Sequence, residues 1–122
     1  MPEEKTILVI EDEEKVRAIT VKLLESLGYQ AIDVENAAAA RDALTRETID
    51  LVLSDVLLTG DMNGPEFAME IGVNYPGMPI VFMSGYPAEA AHGIGELKTN
   101  FQLLNKPFRI RQLDQALRAA LL

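Results

Sequence analysis

Short apolar runs alternate with longer amphipathic segments along the whole chain. Five of these runs have the length and composition of strands that a parallel sheet buries on both faces. We predict strands at residues 6–10, 30–34, 51–54, 79–84 and 101–104. Because strands that alternate with helices form a parallel sheet covered on both faces, the pattern predicts a doubly wound α/β fold.

The segment after the first strand predicts a helix over residues 13–28. Four of its apolar residues fall at helical spacing: Val16, Ile19, Leu23 and Leu27. Gly28 supplies a C-terminal stop, because glycine readily adopts the left-handed conformation in which many helices end.

Three further helices are predicted at residues 37–47, 65–75 and 109–122. Asn36 is suited to cap the first of them, and Pro65 suits the first position of the second. The last helix is amphipathic, with Leu113, Leu117 and Leu121 on one face.

The segment between the fourth and fifth strands, residues 85–100, lacks a clear helical pattern. Gly93 and Gly95 lie near its middle, and glycine disfavours a helix interior by about 1 kcal/mol relative to alanine. We predict a helix there that is short, frayed or partly disordered.

The length of 122 residues is typical of one domain, so we predict a single domain over residues 1–122. No apolar run approaches the ~18 residues of a membrane-spanning helix, and the N-terminal residues lack the features of a signal peptide. The absence of cysteine excludes disulfides and thiolate metal sites and fits a reducing compartment. We therefore expect a cytoplasmic protein that does not act at a membrane.

The formal net charge of −8 argues against nucleic acid as a direct partner, because binding to phosphates needs clustered lysine and arginine. The charge serves either solubility or a cation site into which some of the acids are gathered. The positions of the acids decide between these alternatives.

Polar side chains lie at the ends of four predicted strands. They are Glu11 and Asp12 after the first strand, Asp55 after the third, Ser84 at the end of the fourth and Lys106 after the fifth. Because the carboxyl ends of parallel strands border one crevice, we expect these side chains to converge at one rim of the sheet.

Three carboxylates at one rim repel one another. Two of them ~5 Å apart do so by roughly 3 kcal/mol at an effective dielectric constant of ~20. Either their pKa values rise or a cation binds. Oxygen ligands with no histidine or cysteine at the rim favour Mg²⁺, and Lys106 and the Ser84 hydroxyl suit the oxygens of a transferred phosphoryl group.

The chain resembles the receiver domains of two-component response regulators along essentially its whole length. The resemblance rests on the motifs "VIEDE", "LVLSDVLL", "FMSG" and "NKPF", which occur in the family's order and each end a strand. The loop "TGDMNG" followed by "PEFA" is similar to receivers attached to hybrid histidine kinases. The resemblance implies a flavodoxin-like fold of five parallel strands in the order 2-1-3-4-5.

The resemblance implies a Mg²⁺ site at the acids. Asp12 and Asp55 would bind the ion directly, together with the backbone carbonyl of Leu57. Glu11, which matches the family's other acidic position, would act through water.

The resemblance also implies that Asp55 is the phosphoacceptor. Asp55 would take a phosphoryl group from a phosphohistidine on a histidine kinase or a histidine phosphotransfer protein. Lys106 would pair with a phosphoryl oxygen, and Ser84 would hydrogen-bond to the phosphoryl group and draw its loop inward. The domain would then not be an enzyme that acts on other substrates. It would catalyse only its own phosphorylation and its slow autodephosphorylation.

The chain departs from the family pattern at three places. Leu103 stands where the family usually has the tyrosine or phenylalanine of the conformational switch, and Tyr86 is a candidate replacement. Thr59 stands where proline is common, and the loop from Asp55 to Gly64 is one residue longer than in the commonest pattern of the family. Gly85 stands where alanine is frequent, which leaves room at the phosphoryl site and favours a short-lived phosphoryl state.

Other functions remain open at this point. A degenerate receiver that binds partners without phosphorylation is the main alternative, and Leu103 is compatible with it. A phosphatase of the haloacid dehalogenase type needs a second acid two residues after the nucleophile, where this chain has Leu57. A flavodoxin-like ligand-binding module needs a phosphate-binding glycine loop and aromatic walls, whereas this chain has no glycine fingerprint after the first strand and no tryptophan.

Overall fold

The computed structural model describes residues 4–60, 62–85 and 102–121. Within these ranges the strands are β1 (Thr6–Ile10), β2 (Gln30–Val34), β3 (Leu51–Asp55), β4 (Ile80–Ser84) and β5 (Gln102–Asn105). The helices are α1 (Glu14–Ser26), α2 (Ala37–Arg46), α3 (Gly64–Asn74) and α4 (Ile110–Leu121). All strands pair in parallel in the order β2-β1-β3-β4-β5, so the predicted fold is confirmed.

The burial of the strands follows from their places in the sheet. The central strands β1, β3 and β4 are buried along nearly their whole length, since helices cover both faces. The edge strands β2 and β5 are partly exposed. The apolar runs that predict strands are therefore clearest for β1, β3 and β4, and most of the candidate site residues lie at the ends of these three strands.

Two hydrophobic cores lie on opposite faces of the sheet. On one face, α2 and α3 pack against Leu8 and Ile10 of β1 and against Phe82 of β4. On the other face, α1 and α4 pack against Ile7 and Val9 of β1. Because successive side chains of a strand point to opposite faces, β1 contributes alternately to the two cores and is held firmly in place.

Side-chain caps set the starts of two helices. Asn36 Oδ1 accepts a hydrogen bond of 2.9 Å from the backbone of α2, which confirms its predicted role. Helix α3 begins at Gly64, one residue earlier than predicted, because Asn63 caps it and exchanges reciprocal hydrogen bonds with Glu66. Pro65 therefore occupies the second position of α3 and not the predicted first.

Helix α1 presents an unexpected apolar residue to solvent. Thr20 and Leu24 form its buried face, whereas Ile19 is 60% exposed. The residues at helical spacing thus lie on the margin of the buried face rather than along its centre. The helix ends at Ser26, two residues before the predicted end. Gly28 follows with a φ of 94°, which agrees with its predicted role as a C-terminal stop.

Some predictions fall on parts of the chain that the structure does not describe. Of the weak helix predicted over residues 85–100, only Gly85 is described, and Phe101 of the predicted fifth strand also lies outside the described ranges. None of the helices in the described part is both long and apolar enough to cross a membrane.

Candidate functional site

The acidic pair follows β1 directly. The N–H of Glu11 donates to the carbonyl of Val34 at 3.1 Å, which keeps the chain aligned with β2 for one residue beyond the strand. Glu11 is only 1% exposed, whereas Asp12 is exposed. Glu11 Oε1 accepts a hydrogen bond of 3.2 Å from the N–H of Glu13, and this bond closes the turn that carries Asp12.

Asp55 is the last residue of β3, and it is 6% exposed. The N–H of the next residue, Val56, donates to the carbonyl of Met83 in β4 at 2.9 Å. The hydrogen bonding of the sheet therefore continues past Asp55 and fixes its backbone at the rim.

Lys106 brings a positive charge to these acids. Its Nζ donates to Glu11 Oε2 at 3.0 Å and to Asp55 Oδ2 at 3.0 Å. Its backbone N–H donates to the carbonyl of Ser84 at 2.7 Å, so the residue is anchored at the end of β4. The peptide bond between Lys106 and Pro107 is cis.

Burial and charge shift the pKa values of these three groups in one direction. Burial raises the pKa of Glu11 from 4.5 to about 7, although the hydrogen bond from Lys106 opposes the shift. Burial also raises the pKa of Asp55, again against the effect of Lys106. Burial alone lowers the pKa of Lys106, but its hydrogen bonds to Asp55 and Glu11 outweigh this effect and raise it. The lysine therefore stays charged, whereas the two acids bind protons more readily than they would in water.

The three carboxylates form a compact group of oxygen donors. Glu11, Asp12 and Asp55 each offer one oxygen, and these oxygens lie within 4.8 Å of one another. Mg²⁺ prefers oxygen ligands and is commonly bound by one or two carboxylates with the remaining positions left to water and phosphate. The donor set fits Mg²⁺ in chemistry and number.

Ser84 ends β4 next to this group. In the sheet register its predecessor Met83 lies opposite Asp55, and Ser84 itself is fully buried. The structure thus places at one rim all five of the side chains that follow the predicted strands. Leu57, two residues past Asp55, lies in the same region, and its side chain is 48% exposed to solvent.

Comparison with known proteins identifies the family. Residues 7–118 match the family model of the response regulator receiver domain. The chain is a response regulator receiver domain. Its resemblance to this family is therefore confirmed, and the domain belongs to two-component signalling.

Individual relatives of the receiver domain differ greatly in size. It is 33% identical over 109 residues to the response regulator receiver protein CpdR of Brucella abortus, covering 89% of this chain and 90% of that protein. It is 32% identical over 110 residues to the sensor kinase CckA of Brucella abortus, covering 88% of this chain but 12% of the kinase. A crystal structure of a response regulator receiver protein from Sinorhizobium medicae has a TM-score of 0.85 and 28% identity, with 98% of this chain and 95% of that chain covered.

The aromatic switch position of the receiver domain holds an aliphatic residue at the surface. Leu103 lies in β5, pairs in register with Phe82 of β4 and is 38% exposed. Tyr86, the candidate replacement, lies outside the described residues. The role of either residue as a switch stays a prediction.

The loop between β3 and α3 is held without the proline that is common in the family. Thr59, at the proline position, is exposed. The end of the loop is fixed by the reciprocal hydrogen bonds between Asn63 and Glu66. Arg41 of α2 reaches this end as well, because its Nη2 lies 3.4 Å from the sulfur of Met62. These side-chain contacts hold the end of the loop that leads into α3.

Gly64 lies close to the backbone of Asp55, a contact that the sequence did not reveal. A Cβ at residue 64 would lie 2.2 Å from the backbone oxygen of Asp55 and 3.0 Å from that of Val56. The N–H of Gly64 also donates to the Val56 carbonyl at 2.9 Å. The start of α3 is therefore packed directly on the backbone of the acid, and only glycine fits there. The sequence "NGPEF" signals a helix start but not this contact.

An apolar groove opens beside Asp55 and Lys106. It has a volume of about 520 Å³ and runs between α1 and the segment that follows β5. Its apolar lining includes Val16, Ile19 and Phe108. The exposed position of Ile19 on α1 follows from its place in this groove rather than in a core. The groove joins residues far apart in the sequence, so the local pattern could not predict it.

Proposed function

We propose that this receiver domain accepts a phosphoryl group on Asp55 in a Mg²⁺-dependent reaction and thereby switches a protein-interaction surface. One observation carries the proposal: Lys106 Nζ lies 3.0 Å from both Asp55 and Glu11, next to the carboxylate of Asp12. This arrangement supplies a nucleophile, acidic oxygen donors and a fixed cation at one rim. Phosphoryl transfer depends mainly on positioning and charge neutralisation, which are the functions of such groups.

The transfer forms one bond and breaks another. A carboxylate oxygen of Asp55 forms a bond to the phosphorus of a phosphohistidine, and the bond from phosphorus to the imidazole nitrogen breaks. The electron pair of the broken bond stays on that nitrogen, and the ring leaves as a neutral imidazole because its other nitrogen already carries a proton. The products are an acyl phosphate on Asp55 and a free histidine on the donor.

The acids of the rim would hold Mg²⁺. Asp12 and Asp55 would bind the ion directly with the carbonyl of Leu57, and Glu11 would act through water. When bound, the ion neutralises negative charge on the phosphoryl oxygens. The exposure of Asp12 supports a direct role, whereas the burial of Glu11 against Lys106 supports an indirect one.

Two further side chains would handle the transferred group. Lys106 already donates to Asp55 and would pair with a phosphoryl oxygen once the group is attached. Ser84 would hydrogen-bond to the phosphoryl group and move with its loop. The domain would promote only its own phosphorylation and its slow autodephosphorylation, and it would not turn over other substrates.

The donor would be a histidine kinase or a histidine phosphotransfer protein. The apolar groove supports this partner class, because Asp55, Lys106 and the exposed Ile19 all line it. A protein that presents a phosphohistidine to Asp55 must cover the surface around it. The 32% identity to part of the sensor kinase CckA supports a donor from two-component signalling.

Intact-mass measurement under denaturing conditions tests the proposal. The wild type, Asp55→Asn and the surface control Asp42→Asn are incubated with acetyl phosphate, with and without Mg²⁺. We expect a single phosphoryl adduct on the wild type and on Asp42→Asn only when Mg²⁺ is present, and none on Asp55→Asn. A wild type that stays unmodified, or an equal adduct on Asp55→Asn, would contradict the proposal.

A phosphorylation-independent interaction module is the second candidate. The exposed aliphatic side chain of Leu103 favours it, because the family's aromatic switch is missing at this position. Under this alternative, a captured partner would bind the wild type, Asp55→Asn and the phosphorylated domain with equal affinity. A difference between the phosphorylated and unphosphorylated wild type favours the first proposal.

A further inference from the structure

Arg17 of α1 connects three parts of the domain near the acidic rim. Its Nη1 donates to the backbone carbonyl of Glu11 at 2.9 Å, and its Nε donates to Asp33 Oδ2 of β2 at 3.0 Å. Its side chain is only 18% exposed. These bonds go to a backbone oxygen and to an acid of the edge strand, and not to the clustered carboxylates. Arg17 therefore acts on the geometry of the turn rather than by pairing with the acids of the rim.

The bond to Glu11 fixes the peptide plane from which Asp12 projects. The carbonyl of Glu11 and the N–H of Asp12 belong to the same planar peptide unit. The other backbone group of Glu11, its N–H, is bonded to Val34 at 3.1 Å. Both polar groups of the Glu11 backbone are thus held, one by the sheet and one by Arg17. The direction in which the chain leaves β1 is set before Asp12 is reached.

We propose that Arg17 is a positioning residue for Asp12, and that Asp33 anchors the guanidinium in the orientation this role requires. The inference rests on the proposed function, in which Asp12 binds Mg²⁺ directly. Groups that orient a metal ligand without touching the metal commonly change metal affinity by about 10- to 100-fold when they are removed. A fixed Asp12 binds the ion without first being ordered, and this advantage is lost when the turn is free to move.

A simple charge effect predicts the opposite result. Arg17 is a cation near a site for a cation, so its removal alone would tighten Mg²⁺ binding by lowering electrostatic repulsion. Lysine keeps the charge but cannot donate two bonds from the planar fork of arginine. The comparison of Arg17→Gln with Arg17→Lys therefore separates geometry from charge.

The test measures the Mg²⁺ dissociation constant by calorimetry, without any phosphodonor. The variants are Arg17→Lys, Arg17→Gln and Asp33→Asn, and the control is Arg46→Gln, which removes an arginine that pairs with Asp42 on the exposed face of α2. We expect Arg17→Lys and Arg17→Gln each to weaken Mg²⁺ binding about ten-fold or more, Asp33→Asn to weaken it less, and Arg46→Gln to leave it unchanged. Circular dichroism at the titration temperature shows that each variant is folded.

The possible outcomes distinguish this inference from the proposed function. Mg²⁺ binding by Arg17→Gln that equals or exceeds that of the wild type would overturn the positioning role and leave the proposed function intact. The same holds if Arg17→Lys binds as the wild type does. If an Arg17 variant does not fold, Asp33→Asn decides, because unchanged binding there also overturns the inference. A wild type that binds no Mg²⁺ contradicts the proposed function itself.

Discussion

The ammonium group of Lys106 lies 3.0 Å from Oδ2 of Asp55, and the same nitrogen lies 3.0 Å from a second buried carboxylate, that of Glu11. One cation therefore compensates two acids that are nearly inaccessible to water. This ratio leaves the rim with an excess of negative charge, even before the exposed Asp12 is counted. The behaviour of the receiver domain with pH, with metal and on mutation follows from the burial of these two acids and from this imbalance of charge.

Removal of the lysine charge should destabilise the fold. Lys106→Met leaves Glu11 and Asp55 buried without a counter-charge, and breaking a buried ion pair costs about 3–5 kcal/mol. Because the acids can take up protons in response, we expect a loss of about 2–3 kcal/mol in the free energy of unfolding at pH 7. Urea unfolding without metal measures it.

The double variant Lys106→Met with Glu11→Gln is the control for this loss. It removes one of the uncompensated charges, so part of the lost stability should return. The 3.0 Å contact indicates that Lys106 and Glu11 interact. If the changes in the free energy of unfolding caused by the two substitutions are additive, this interaction does not contribute to stability.

The stability of the metal-free domain should fall as the pH rises from about 4.5 to about 7. Burial raises the pKa of Glu11 from 4.5 to about 7, so in this window the folded state holds a proton that the unfolded chain releases. Because the folded state binds more protons, rising pH favours the unfolded state. The raised pKa of Asp55 acts in the same direction.

Glu11→Gln should flatten this dependence. The full shift at Glu11 corresponds to a change on the order of 3 kcal/mol, and glutamine has no proton to release. Thermal unfolding at several pH values, in the presence of a chelator, measures the difference between variant and wild type. Parallel pH profiles for the two proteins would mean that Glu11 does not titrate in this range.

Mg²⁺ should raise the melting temperature of the wild type. A ligand that binds only the folded state adds about 2.7 kcal/mol at a concentration 100 times its dissociation constant. Asp12→Asn should stabilise the metal-free protein, because it removes one of three mutually repelling carboxylates. The same variant should lose most of the response to Mg²⁺. A full response in Asp12→Asn would exclude Asp12 as a direct ligand.

Gly64→Ala should disturb Asp55 through a clash with its backbone oxygen. The added Cβ would lie 2.2 Å from the Asp55 oxygen, so the start of α3 must shift. Such overpacking typically costs about 1–3 kcal/mol, and we expect phosphorylation by acetyl phosphate to slow as well. Gly72→Ala is the matched control in the same helix, because a Cβ there has no neighbour within 4 Å.

Gly72→Ala should leave phosphorylation unchanged and stabilise the domain by about 0.5–1 kcal/mol, since alanine is the better helix residue. Equal losses for the two alanine variants would show that the packing of Gly64 on Asp55 has no special effect.

Ile19→Glu should impair phosphotransfer from a protein donor more than phosphorylation by acetyl phosphate. Ile19 is 60% exposed in the groove beside Asp55, and a charge there opposes the docking of an apolar partner surface. We expect the ratio of the two rates to fall about ten-fold, which corresponds to 1.4 kcal/mol of binding. Val73→Glu, at a 78% exposed residue of α3, should leave the ratio as it is. A similar fall for both variants would mean that the groove does not guide the donor.

The sequence predicted the strands and the acids well because both signals are local. The apolar run before Asp55 defines a buried central strand, and the end of that strand is where a parallel sheet presents its side chains. Contacts between distant elements could not be predicted in this way. Ile19 fits the spacing of a helix, yet it lies in the groove because α1 is rotated so that Thr20 and Leu24 face the sheet.

Gly64 and Arg17 show the same limit at the site itself. Glycine before proline is a common helix start. No neighbouring residue in the sequence indicates that a Cβ at residue 64 would lie 2.2 Å from the backbone oxygen of Asp55. An arginine on an amphipathic helix is ordinarily a surface residue. Its bond to the carbonyl of Glu11 depends on the turn between β1 and α1, whose shape the residue types alone do not specify.

The contact between Lys106 and Glu11 joins residues 95 positions apart, one next to the first strand and the other next to the last. A nascent chain that has not yet released its final strand, or a fragment from which a protease has removed it, keeps all three acids but lacks their cation. In such a species Asp55 and Glu11 would have no counter-charge from Lys106. The charge balance of the rim therefore depends on the folding of segments from both ends of the described chain.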